Sequence, residues 1–183
     1  IVLLPAHIAF LELIIDPACS TVFEACPDEK NIMRRPPRNL QESLFSKKAF
    51  IFSLLQGLGI LIAVFLVFIL ALYLQKDELE ARTLSFATLV FANLILIMTN
   101  LSWSKNLFGI IKSGNKALWV IAIGAVSALF LVIYLPALRN LFHFSVLSAV
   151  DLLIALASGV VSLLWFEGFK ALNKRNPRFK KSF

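Results

Sequence analysis

The sequence predicts an all-α protein, a polytopic membrane helix bundle of about five transmembrane helices. Three observations predict it. Of the 183 residues, 59% are hydrophobic and only 16% are charged, with a mean hydropathy of +0.83, which excludes an ordinary soluble domain. The apolar residues gather into stretches long enough to cross a hydrocarbon layer of about 30 Å. The basic residues gather in alternate connections between those stretches, as a topology signal does.

The first stretch, residues 1–22, is apolar but carries Glu12 and Asp16. Four residues apart on a helix, the two carboxylates share one face. Acids at membrane depth are costly, and the usual reason to keep a pair is an ion or proton pathway. Pro17 follows the second acid, removes a backbone donor and crowds the preceding turn, freeing carbonyl oxygens beside the carboxylates. Hard cations take carboxylate, carbonyl and amide oxygens, so Glu12 and Asp16 are the candidate cation and metal ligands, with a protonated structural carboxyl or a lipid-headgroup contact as the lesser alternative. His7, near the end of this span, reads as an interfacial residue, with a proton role as the lesser alternative.

The second stretch, 49–74, is the cleanest, with only Ser53 and Gln56 polar. The third, 83–101, carries Thr88, Asn93, Thr99 and Asn100. Asn93 places an amide oxygen at membrane depth, either as a supporting cation ligand or as a hydrogen bond between helices. Asn100, seven residues on, is expected on the same side of the helix. The fourth stretch, 117–135, stops at Pro136, and the fifth runs over 146–166. Asp151 near the outer end of the fifth and Glu167 at its inner boundary are read as structural. Gly57 and Gly59 in the second span, and Gly124, Ser127 and Ala128 in the fourth, are expected packing surfaces. Trp103, Trp119, Trp165 and Tyr73 fall near span ends, as interface anchors do, and His143 likewise.

Lys30, Arg34, Arg35, Arg38, Lys47 and Lys48 occupy the first connection, and Lys105, Lys112 and Lys116 the third. Lys170, Lys174, Arg175, Arg178, Lys180 and Lys181 follow the last span. The opposite connections hold Lys76, Arg82 and Arg139 against Asp77, Glu78 and Glu80. The positive-inside rule therefore puts loops 23–48 and 102–116 and the tail 167–183 in the cytoplasm, with Ile1 outside. On this reading the net charge of +7 orients the chain in a lipid bilayer, and no nucleic-acid partner is expected. Pro36 and Pro37 stiffen the first loop, whose arginines suit acidic groups or lipid phosphates. Cys19 and Cys26 have no zinc or redox spacing; they read as small apolar or interfacial residues, with a disulfide a minor alternative. The chain begins at Ile1 inside an apolar run, as expected of a piece of a longer protein. No phosphate cradle, metal cluster or activated nucleophile is present in the sequence, so catalysis by this stretch and a cofactor of its own are not expected.

The string Leu4-Pro5-Ala-His-Ile-Ala-Phe-Leu-Glu12-Leu-Ile-Ile-Asp16-Pro17, followed by Asp28-Glu-Lys-Asn-Ile-Met-Arg-Arg-Pro-Pro-Arg38, resembles the sixth transmembrane helix and following loop of P-type cation-transporting ATPases of the calcium-pump and sodium/potassium-pump class. Ala81-Arg82-Thr83-Leu-Ser-Phe-Ala-Thr-Leu-Val90 resembles the start of their eighth helix. The resemblance covers the whole chain, 1–183, as helices six to ten of the membrane domain. It implies a sixth helix unwound at its middle, with polar residues coordinating the transported cation. Asp16 falls on the family's ion-binding aspartate. Glu12 falls where calcium pumps have asparagine and sodium/potassium pumps aspartate, Ile15 where a ligand threonine is expected, and Pro17 where glycine is usual. Asn93 falls near a ligand glutamate of the eighth helix of calcium pumps. These departures leave the cation open among calcium, manganese, magnesium, sodium and protons.

The resemblance further implies an integral multi-pass protein, of the plasma or inner membrane, whose parent is an ATP hydrolase using ATP and magnesium. Its phosphorylated Asp-Lys-Thr-Gly-Thr motif and nucleotide domain would lie upstream, so this stretch alone should not hydrolyse ATP. Its partners would be the upstream helices and the cytoplasmic domains of the same protein. Two other readings stay open on the residues: a self-contained five-span scaffold subunit whose acids pair with a partner helix, and part of a proton-coupled secondary transporter.

Overall fold

The computed structural model describes residues 3–25, 47–101 and 116–173. The basic loop with Pro36 and Pro37, Cys26, Trp103 and the tail from Lys174 onward lie outside the described residues. The described elements are α1 (Pro5–Glu24), α2 (Lys47–Tyr73), α3 (Glu78–Asn100), α4 (Lys116–Tyr134), α5 (Pro136–Phe142) and α6 (Ala149–Asn173). Five of them, all but α5, are long and apolar enough to cross a membrane. The protein is therefore the all-helical membrane bundle expected from the sequence.

Local chemistry sets the ends. α2 stops because Gln75 adopts a left-handed conformation (φ 58°), and the Lys76 N–H then reaches back to the Ala71 carbonyl at 3.1 Å. This closure satisfies a terminal carbonyl that would otherwise be orphaned. α3 starts at Glu78, earlier than its apolar run, because Glu78 and Glu80 in its first turn suit the positive end of the helix dipole. Pro136 has no N–H and forces Leu135 into an extended conformation, which ends α4; the same ring then serves as the first residue of α5. His143 caps α5 with φ 51°, and the Phe144 N–H closes onto the Arg139 carbonyl at 3.0 Å. At the start of α6, Ser148 and Asp151 form a reciprocal capping box: each backbone N–H donates to the other side chain at 3.2 Å.

α2, α3 and α6 pack on one another and form the centre, while α1 and α4 lie against α3 and each other. The tightest approach is at Gly159 of α6, where an added Cβ would stand 3.0 Å from the backbone nitrogen of Ala92. Gly59 of α2 does the same against the Ser162 carbonyl at 3.1 Å, beneath the Trp165 ring nitrogen. Of the glycines expected to pack, Gly57 and Gly124 instead face open space, and Ala125 is the buried small residue of α4. A neighbouring small residue took the contact because the helical turn points it, not the glycine, inward.

Hydroxyls inside the bundle are returned to their own helices. Thr83, Ser85 and Thr88 donate to the carbonyls of Leu79, Ala81 and Leu84 at 2.7, 2.9 and 2.8 Å. Ser162 donates to Gly159 at 2.7 Å. Thr83, Ser85 and Thr88 of α3 are thereby satisfied without water.

Candidate functional site

α1 is helical through Pro17, so the unwinding that the family resemblance implied at its middle is not present. In lipid every broken backbone bond is costly, and one missing proline donor leaves the rest of the helical ladder intact. The freed oxygen is the carbonyl four residues before the proline, that of Leu13, whose side chain is 75% exposed.

The two sides of α1 differ sharply. Phe10, Leu11 and Ile14 pack on the core of α3 and α4, and Ile15, Cys19 and Val22 join Ile97 and Leu118 in a smaller cluster. Pro5, Ala9, Glu12 and Phe23 lie on the flank that no described helix covers. Position 16 follows one turn after Glu12 on the same helix; its side chain is outside what is described. The side that carries Glu12 is thus the open side.

Asn93 is half-buried on α3. It lies seven residues after Phe86, whose ring meets His7 and Phe10 of α1, and four before Ile97, which clusters with Val22. Those spacings put Asn93 at the boundary between the side of α3 turned toward α1 and the side turned toward α2, where Asn100 lies seven residues on. α1 and α3 run in the same direction between these contacts, so Asn93 stands level with roughly position 17 of α1, at about 1.5 Å per residue. The fold therefore brings Asn93 to the depth of Asp16. Glu12 lies on the uncovered flank, and among the described residues no hydrogen bond or ion pair joins it to Asn93. No cluster of three or more His, Cys, Asp or Glu side chains forms among the described residues.

Asn100 faces α2. Its carboxamide pairs with that of Gln56 in both directions, at 3.2 and 3.4 Å, so two amides satisfy each other inside the bundle. His7 is fully buried, not interfacial. It lies among the rings of Phe86, Phe142 and Phe144, with centroids 5.2, 6.1 and 4.6 Å away.

Asp151 is the structural acid expected. It accepts from the Lys76 ammonium at 2.9 Å and from the Ser148 hydroxyl at 2.9 Å, tying the α2–α3 connection to the start of α6. The hydrogen bond to Asp151 holds the Lys76 ammonium above the ordinary lysine range, helped by the charges of Asp151 and Glu80. This tie and the Gly159 contact are absent from the sequence reading. The Ser148-x-x-Asp151 spacing is a capping-box pattern that was there to be seen.

A bundle with five helices long and apolar enough to cross a membrane is a region of a membrane protein, and the comparisons place it. Residues 1–172 match the family described as "Cation transporting ATPase, C-terminus", and the chain belongs to that family, as a P-type cation ATPase C-terminal region. It is 30% identical over 177 residues to calcium-transporting ATPase type 2C member 1 of Pongo abelii, covering 96% of this chain and 19% of the relative. A calcium-transporting ATPase of Bacillus subtilis is 26% identical over 178 residues, with coverages of 94% and 19%. Calcium-transporting ATPase type 2C member 2 of Homo sapiens is 31% identical over 164 residues, with coverages of 86% and 17%. The chain spans about a fifth of the length of these relatives.

Proposed function

We propose that this bundle supplies part of the intramembrane cation site of an ATP-driven pump, with Asp16 and Glu12 as anionic ligands and Asn93 as a supporting amide. The observation that carries the proposal is the open acid flank of α1: its other side is packed, and the carboxylate of Glu12 stands in the middle of a membrane-length helix. The uncovered flank is where helices upstream of this chain complete the coordination. Calcium is the first candidate ion, because relatives that align over nearly the whole chain are named as calcium-transporting; manganese, magnesium, sodium and protons are the comparators. Glu12 adds a negative charge while Ile15 offers no hydroxyl, so charge on the site rises as one neutral oxygen is lost, which suits a hard cation.

In the intact protein, ATP and magnesium act on domains outside this chain, and phosphorylation there shifts helix packing to expose the site to alternate sides. The excess of lysine and arginine puts the C-terminus in the cytoplasm, of a plasma or inner membrane. A scaffold subunit or a proton-coupled transporter is not favoured, since neither accounts for the family match. The test uses the full-length protein in vesicles, with ATPase rate followed against each cation. Asp16→Asn should lower apparent affinity by about tenfold or more, the scale of losing one charged contact. Unchanged affinity would remove Asp16 from the site.

A further inference from the structure

Among the described residues, His7 makes a polar attachment at the outer end of α1. The imidazole Nδ1 accepts the Leu4 N–H at 3.1 Å, so the proton resides on Nε2, which donates to the Phe142 carbonyl at 2.7 Å. Leu4 is the N-cap of α1, and His7 is its third helical residue; the imidazole returns to the cap N–H as a capping-box glutamine does. Phe142 is the last residue of α5, the short helix that Pro136 creates between α4 and α6. The rings of Phe86 and Phe144 hold the imidazole from two further elements. One side chain thus closes the start of α1, satisfies a carbonyl at the end of α5 and fills an aromatic cage.

The register connects this attachment to the acids. Glu12 lies five residues on, about 140° round the helix, and position 16 lies nine residues on, about 180° round and 13 Å down, at 100° and 1.5 Å per residue. Fixing His7 inward therefore fixes Glu12 and position 16 outward. We propose that His7 is the outer anchor of the acid-bearing helix, a positioning residue that sets the rotation and depth of Glu12 and Asp16 through its bond to Phe142. The proposal rests on the cation-site reading for its effect on transport, but not for the anchor itself.

The anchor works only with a neutral ring. A protonated imidazole has no acceptor for the Leu4 N–H, and the titratable or cationic groups facing it are Arg82 of α3 and His143 beyond α5, both of which add repulsion. Protonation of the ring on acidification should therefore loosen the outer end of α1.

The experiment takes the full-length protein without Cys19 and Cys26, spin-labelled at Leu13→Cys and Leu141→Cys, both exposed positions. His7→Phe keeps a ring in the cage and deletes both hydrogen bonds. It should broaden the distance distribution between α1 and α5 and weaken apparent calcium affinity about three- to tenfold, the scale of one or two lost hydrogen bonds, with maximal turnover unchanged. His7→Gln can serve both the cap and the carbonyl without titrating; it should restore the narrow distribution and remove the loss of affinity on acidification. A wild-type distance distribution in His7→Phe overturns the anchor. Should His7→Phe not fold, His7→Gln decides alone: a pH profile unchanged from wild type overturns it, and a flattened one upholds it. If Asp16→Asn leaves calcium affinity untouched, the cation-site reading fails while the distance measurement still judges the anchor.

Discussion

α3 and α1 are spans of 23 and 20 residues with opposite surroundings: 78% of the apolar window of α3 is buried inside the bundle, against 12% for α1. Apolarity does not explain this, since α2 and α4 are more apolar than α3 and mostly face outward. What α3 has is small side chains and hydroxyls. Ala81, Ser85, Ala87, Thr88 and Ala92 let neighbouring helices approach, and the hydroxyls are satisfied by the carbonyl one turn back. A carboxylate cannot be satisfied that way, since it has no proton to return to a carbonyl. The comparison teaches that position in a membrane bundle follows side-chain size and self-satisfaction, because lipid offers no hydrophobic gradient between helices.

The largest expected effect tests the α3 side of this contrast. Gly159→Leu must push α6 off the Ala92 backbone and should destabilise the bundle by about 3 kcal/mol, as severe overpacking does. Thermal unfolding in detergent would show it, and a wild-type midpoint would break the account of why α3 is central. Glu12→Gln on the open flank is the matching control and should leave that midpoint where it is.

Next comes Asp151→Asn, which strips the Lys76 ammonium of its main partner. The loss should be about 2 kcal/mol, below that of a fully buried pair because Lys76 keeps some solvent. The pH dependence follows from the sign of the shift. The folded-state value of Lys76 is raised, so its stabilisation is complete below the ordinary lysine range and is lost as pH rises through the raised value, above about 10.5. Alkaline melts of the wild type should therefore fall earlier than those of Asp151→Asn relative to each protein's neutral-pH midpoint; parallel curves would count against the tie.

Gln56→Leu should cost about 1 kcal/mol by orphaning the Asn100 amide, and the double change Gln56→Leu with Asn100→Leu should recover most of it. A double-mutant cycle with no coupling would mean the two amides act separately. The smallest effect is a gain: Gln75→Gly relieves a left-handed residue and should add about 0.5–1 kcal/mol. Both changes lie on the packed α2–α3 side and should leave cation affinity alone.

Much of the molecule was legible in the chain. The apolar runs, the basic connections, the acid pair and the Asp28–Arg38 loop motif sufficed for the fold class and the family. Asp151 could be read as structural because it lies near the end of its span. His7 was misread, because its partner Phe142 is 135 residues away and no local pattern announces such a pairing. Gly57, Gly59 and Gly124 look alike in sequence, yet only Gly59 meets another helix.

The sequence by itself determined which segments cross the membrane, since lipid requires about 20 apolar residues per helix and leaves the backbone no other regular form without a closed sheet. It also determined that Glu12 and Asp16 share one face, which helical periodicity alone requires. Only the tertiary structure decided which way that face looks. Rotation of α1 about its own axis is set by the fit of Phe10, Ile14 and Val22 against other helices and by the bond from His7 to Phe142. Those contacts join residues far apart in the chain, where period and composition carry no information.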